Sequence, residues 1–191
     1  QEKVTYFSSS QSENDQEANT LKLLLAINAF MFVFELTVGW IGQSTGLIAD
    51  SMDMFADAAV YGLALFAVGK SAGKKLHAAH LAGWLQMILA FGALSEVLRR
   101  FIFGSEPVSV LMMGIGCIAL VANVSCLFLI SKKKDRGAHM RASWIFSAND
   151  VIANIGVILA GVLVWWTGSR FPDLVIGLLI GVVVLSGAIR I

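Results

Sequence analysis

The stretch Gly46-Leu47-Ile48-Ala49-Asp50-Ser51-Met52-Asp53-Met54-Phe55-Ala56-Asp57-Ala58-Ala59 decides how this chain is read, because it sets three carboxylates inside an otherwise apolar run. At about 100° per residue on an α-helix, Asp53 lies about 300° and Asp57 about 340° round from Asp50, so all three share an arc of about 60°. A charged side chain at mid-membrane costs about 2.5–3.5 kcal/mol on insertion scales, and three on one face also repel one another. No basic residue lies in the run to pair with them, and Asp53 and Asp57 sit too deep to be helix caps. Protons, a cation or water in a cavity must neutralise this stripe, and a site that trades protons for a metal ion uses all three.

The sequence around the stripe is that of a membrane protein. Of 191 residues, 57% are hydrophobic and 14% charged, and the mean hydropathy is +0.77, far from the balance of a soluble domain. A hydrocarbon core of ~30 Å needs about 20 apolar residues per helix. Charges and Gly/Pro signals mark off six such runs, at about 20–42, 46–69, 78–101, 108–131, 142–167 and 172–191. These predict an all-α membrane protein, a six-transmembrane-helix bundle over 20–191, with neighbouring helices antiparallel because connections such as 43–46 and 167–172 are too short to hold a domain. Lys3, Lys22, Lys70, Lys74, Lys75, Lys132, Lys133, Lys134, Arg136, Arg141 and Arg190 fall on the face that carries both termini, and only Arg99, Arg100 and Arg170 fall on the other. The positive-inside rule then puts both termini in the cytoplasm, as in a multi-pass protein of a bacterial inner membrane.

Residues 1–19, rich in Ser, Gln, Asn and Glu, have no apolar signal-peptide core and are expected to form a disordered tail. A net charge of +1 gives no reason to expect a nucleic-acid partner. Cys117 and Cys126 fall on roughly opposite faces of one helix and read as packing residues, not as a disulfide or metal pair. Small residues at Gly177-xxx-Gly181 and Gly156-xxx-Ala160 read as close helix contacts. Trp40, Trp165 and Trp166 fall near helix ends, as an aromatic belt requires.

The fifth run supplies a second polar face. In the segment 141–156, Ser147, Asp150 and Asn154 lie within about 100° of one another, while Asn149 points about 100° away from Asp150. Two polar stripes on separate helices suggest one shared site. Oxygen ligands of this kind suit harder divalent cations, and carboxylates also help bind zinc.

The chain resembles the cation diffusion facilitators. The segments that carry the resemblance are Ser44–Asp57 on helix two and Arg141–Ile158 on helix five, joined by Asn28 and Glu35 on helix one, Glu96, Arg99 and Arg100 on helix three, Asn123 on helix four and Asp173 on helix six. The resemblance implies a six-helix exporter of divalent metals that works as a proton antiporter, is usually a homodimer, and holds its ion in a tetrahedral site. It implies no resident cofactor and no enzyme activity. Helix two of the family supplies His or Asp and then Asp four residues on, positions matched by Asp53 and Asp57. Helix five usually supplies His and then Asp, but here Phe146 stands where the His belongs and only Asp150 matches.

That departure leaves two ligand sets open. Because helices two and five run antiparallel, an ion about one turn further outward would be held by Asp50, Asp53, Asp150 and Asn154. The conservative set is Asp53, Asp57 and Asp150, with water completing the shell. Loss of the imidazole moves the expected cargo toward manganese or iron(II), with zinc, cobalt, nickel and cadmium also open. A second departure is that no C-terminal cytoplasmic domain follows helix six, as in a short form whose dimer rests on its helices or in a truncated chain.

Other readings account for less. A passive divalent cation channel also fits the stripe, and only a proton-dependence assay separates it from an antiporter. A membrane enzyme transferring phospho-alcohols from CDP-lipids would need Gly after its second Asp, where this chain has Met54, and a later pair of aspartates that is absent. His77 and His80, at i and i+3 where helix three begins, are read either as a metal-collecting pair or as solvated surface residues. Glu35, Glu96 and Asn123 are read as interhelical hydrogen-bonding groups ahead of proton carriers.

Overall fold

The computed structural model describes residues 2–67, 72–132 and 138–189. The cations Lys70, Lys133, Lys134, Arg136 and Arg190, and the side chains of Lys3, Lys74, Lys75, Arg141 and Phe146, lie outside the described residues. Six helices cross the bundle in turn: α1 (Glu2–Ile41), α2 (Thr45–Ala67), α3 (Ala72–Phe103), α4 (Ser109–Ser131), α5 (Ala138–Thr167) and α6 (Phe171–Ile189). Five of them contain segments long and apolar enough to span a bilayer, so the chain is a multi-pass, all-α membrane protein. The sixth, α2, is as long but carries the three aspartates, and it is shielded by packing against each of the other five helices.

The helix bounds depart from expectation mainly where apolar character fades. Where a disordered tail was expected over 1–19, α1 carries helix from Glu2, with its membrane-length segment starting only at Ala18; no Gly or Pro interrupts the tail sequence to stop the helix. Helices α3 and α5 begin at Ala72 and Ala138, ahead of their apolar runs, because a polar turn ends membrane burial without ending backbone hydrogen bonding.

The end of the bundle remote from the termini is tightly built. Gln43 takes φ 51° in the α1–α2 turn, and Gly168, at φ 63°, follows α5 in the position that favours glycine. Val108 N–H donates to the Gly42 carbonyl (2.9 Å), Glu106 N–H donates to Gln43 Oε1 (3.1 Å), and Arg170 donates to the Phe101 carbonyl (3.2 Å). These bonds tie all three connections at that end together. Pro172 sits in the first turn of α6, where its missing N–H costs nothing.

Small residues let the helices close up as expected, but the two ends of one motif serve different neighbours. A Cβ on Gly177 would come within 2.8 Å of Thr45 on α2, whereas one on Gly181 would meet Leu94 of α3 at 2.8 Å. Gly156 fits against Ile176 of α6 in the same way. One apolar cluster, including Leu47, Ile48, Met52, Ala90, Ile115, Val157 and Val184, fills the remote half. Another, of Leu21, Leu24, Tyr61, Cys126 and Ile130, fills the half near the termini. The polar residues of α1, α2, α4 and α5 lie between these two clusters. Trp40, Trp84, Trp165 and Trp166 are exposed on the outer surface, while Trp144 packs on the second cluster. Both cysteines are free thiols, Cys117 exposed and Cys126 buried.

Glu96 corrects its sequence reading. Its partners are on its own helix: Arg99 and Arg100 both donate to it, at 2.6–2.8 Å. Spacings of i+3 and i+4 bring the groups together without help from a neighbouring helix.

Candidate functional site

Helix α2 is fixed at its start by an acid from another helix. Asp173, in the first turn of α6, accepts from Ser44 Oγ (2.6 Å), from Thr45 N–H (2.7 Å) and from Gly46 N–H (3.0 Å). Thr45 Oγ1 lies 2.8 Å from the Asp173 carbonyl, and Ser44 Oγ in turn accepts from Leu47 N–H at 3.1 Å. The free N–H groups of a helix start, carrying partial positive charge, are thereby satisfied by a buried carboxylate. This cap sets the register from which the stripe is measured.

One turn and more below the cap, Asp50, Asp53 and Asp57 face inward. Asp50 and Asp57 are buried, with Asp53 keeping some accessible surface. On α5, Ser147, Asp150 and Asn154 form one buried stripe, while Asn149 is exposed. The carboxyl of Asp150 lies within hydrogen-bonding reach of both Asp53 and Asp57. Tyr61, one turn beyond Asp57 on the same face, donates its hydroxyl to Asp57 Oδ2 at 3.1 Å.

Asp50, which also neighbours Asp53, has further partners of its own. Asn154 donates through Nδ2 to Asp50 Oδ2 (2.6 Å) and accepts through Oδ1 from Asn123 of α4 (2.8 Å). Both ends of the Asn154 amide are thus engaged, and its geometry is that of a residue orienting Asp50. The interhelical bond expected of Asn123 is this one. Glu35 of α1, fully buried, also approaches Asp50.

The chemical signature of this layer is its missing donors. Both oxygens of Glu35, Oδ1 of Asp50, Oδ2 of Asp150, Oδ1 of Asn28 and Oγ of Ser147 are buried without a hydrogen-bond partner. Ionised carboxylates only accept, so contacts among Asp53, Asp57 and Asp150 require protons or a cation between them. Among the described residues no three His, Cys, Asp or Glu side chains stand together closely enough to hold a metal ion; Asp53 and Asp57 each approach Asp150. Such an arrangement offers several oxygens to a cation and can hold protons in its place. His77 and His80 are exposed, away from this layer.

Residues 21–191 match the profile of the cation efflux transmembrane domain. The chain belongs to the cation efflux family. Among its relatives, the zinc transporter ZitB of Escherichia coli is 25% identical over 197 residues, covering 96% of this chain and 63% of that protein. ZitB of Yersinia pestis is 26% identical over 192 residues, covering 92% and 61%. The metal cation efflux system protein CzcD of Cupriavidus metallidurans is 25% identical over 178 residues, covering 87% and 56%. This cation efflux chain therefore spans about three fifths of the length of the curated relatives it matches. The family match runs through all six helices, including those where the sequence resemblance rested on single residues.

Three features in and around this polar layer escape the sequence reading. Tyr61 follows Asp57 by four residues, a spacing that signals a same-face pair. Glu35 was read as a hydrogen-bonding residue, although an acid in mid-span is itself a functional signal. The capping role of Asp173 has no local signal, since its partners lie more than 120 residues away in the chain.

Proposed function

We propose that this cation efflux chain carries divalent metal cations out of the cytoplasm in exchange for protons, holding the ion between Asp53 and Asp57 of α2 and Asp150 of α5. The observation that carries this reading is the position of Asp150, within reach of both α2 aspartates in a layer where, among the described residues, no buried cation neutralises them. A dication brings two positive charges and accepts oxygens from all three; when it leaves, protons let the same carboxyls stay together in a low-dielectric interior. Metal and protons compete for one set of oxygens, and that competition is the coupling. Asp53, the aspartate with accessible surface, is the point of first contact, and Tyr61 orients Asp57.

The outward set of Asp50, Asp53, Asp150 and Asn154 is less well supported, because Asn154 already spends both polar atoms on Asp50 and Asn123. We place both termini in the cytoplasm of a bacterium, on the distribution of basic residues, and expect a homodimer formed through the helices. Zinc is the cargo named for ZitB; the oxygen-rich set here also suits manganese and iron(II).

Purified protein in proteoliposomes, with a metal-responsive dye inside and a pH gradient imposed, tests the reading. Wild type should fill the vesicles with metal at a rate set by the gradient, and Asp53→Ala and Asp150→Ala should run at the protein-free background while remaining folded. Wild-type rates from either variant would refute the assignment, and transport indifferent to the pH gradient would replace the antiporter with a channel. Titration calorimetry of manganese, iron(II), zinc, cobalt, nickel and cadmium against wild type and Asp53→Ala would rank the cargo.

A further inference from the structure

Hydroxyls inside apolar helices normally bond back to their own backbone. In this chain Thr37, Ser125, Thr167 and Ser186 each bond to the carbonyl four residues before them, and Ser51 bonds to the carbonyl of Ile48. The buried hydroxyls of Ser44 and Thr45 are taken up by Asp173. Among the described residues the buried hydroxyl oxygens without a partner are Ser105 Oγ, in the partly exposed α3–α4 connection, and Ser147 Oγ, on a residue wholly inaccessible to solvent. That oxygen is free to meet a water or an ion.

Its place on α5 says which. Ser147 precedes Asp150 by three residues, so the two project from one face, about 60° apart and one turn apart along the axis. Asn154 continues the same buried stripe and bonds to α2 at Asp50. Since α5 runs antiparallel to α2 and Asp150 reaches both Asp53 and Asp57, Ser147 is brought level with the Asp57 end of the stripe. The neighbouring residue, Phe146, has no atom that ligates a metal, so a further ligand from this part of α5 must come from another residue.

We propose that Ser147 Oγ is an additional ligand to the transported dication, supplying an oxygen from the same helix as Asp150. This rests on the reading of Asp53, Asp57 and Asp150 as the cargo site. The consequence is one of selectivity: a hydroxyl is a harder donor than an imidazole or a thiolate, and a site closed by it favours ions content with oxygen over those that prefer nitrogen or sulfur.

Cobalt(II) bound to the full chain in lipid nanodiscs provides the test, because a cobalt–thiolate bond gives a charge-transfer absorption that a merely structural residue would not produce. Ser147→Cys should show such a band where wild type, with Cys117 and Cys126 in place, does not, and adding Asp150→Ala should abolish it. Ser147→Ala should weaken manganese binding in calorimetry by about tenfold, in the range seen when a metal site loses one supporting group, while Ser147→Cys should gain cadmium affinity relative to manganese. No band in a folded Ser147→Cys protein that binds cobalt, or wild-type manganese affinity in Ser147→Ala, would overturn the assignment. Cobalt binding that survives Asp150→Ala alone would instead bring down the cargo site, and the Ser147 proposal with it.

Discussion

Two places on α2 hold buried acids, and they are finished to different degrees. At the helix start, Asp173 accepts from two backbone N–H groups and from the hydroxyls of Ser44 and Thr45, and no carboxyl oxygen is left over. Two to three turns further on, Asp53, Asp57 and Asp150 face one another, and buried oxygens of Asp50, Asp150 and Glu35 have no donor. A carboxylate whose needs are met by the fold is a structural part, holding α2 against α6. Carboxylates left wanting mark the candidate site, since protons, water or an ion must complete them. The same residue type thus meets opposite surroundings two to three helical turns apart on α2, and the count of available donors separates them.

The largest effect should come from removing the acid that both α2 aspartates share. Asp150→Ala should eliminate measurable metal binding, while Asp50→Ala should leave the Asp53–Asp57–Asp150 set able to bind; equal losses in calorimetry would restore Asp50 to the ligand set. At the finished end, Asp173→Ala should lower stability by about 3 kcal/mol, because it strands two N–H groups and a hydroxyl in the interior. Thermal unfolding in detergent would show this as a lower midpoint, with metal affinity per folded molecule preserved. Gly177→Ala strikes the same contact through packing, pressing a methyl toward the Thr45 backbone, and should cost about 1–3 kcal/mol in the same assay. The smallest effect is expected from Asn154→Ala, which removes the donor that orients Asp50 without touching Asp150: about tenfold in metal affinity, measured against an unaltered unfolding midpoint. A loss there as complete as that of Asp150→Ala would make Asn154 a ligand after all.

Much of this was legible in the chain alone. The aspartates at 50, 53 and 57 share a face because of helix geometry, and their cost in lipid demands compensation whatever the neighbours are. Ser147 and Asp150 were joined to them by the same periodicity. The pairing of Glu96 was misread because a sequence shows that an acid is buried without showing whether its partner is on another helix or one turn away. Glu35 and Tyr61 were underused for a related reason: their importance depends on which acid they approach.

Composition and period determined that the chain spans a membrane six times and that its second helix carries an acidic face, because hydrophobic length and the 3.6-residue turn are local properties. Only the tertiary structure decided which acid is sated and which is not. Asp173 reaches the start of α2 because α2 and α6 run side by side from the same end, and Asp150 reaches Asp53 and Asp57 because α5 packs on α2 in one antiparallel register. Hydrogen bonds between distant helices depend on position to within a fraction of an ångström, and that information lies in the packing of the whole bundle.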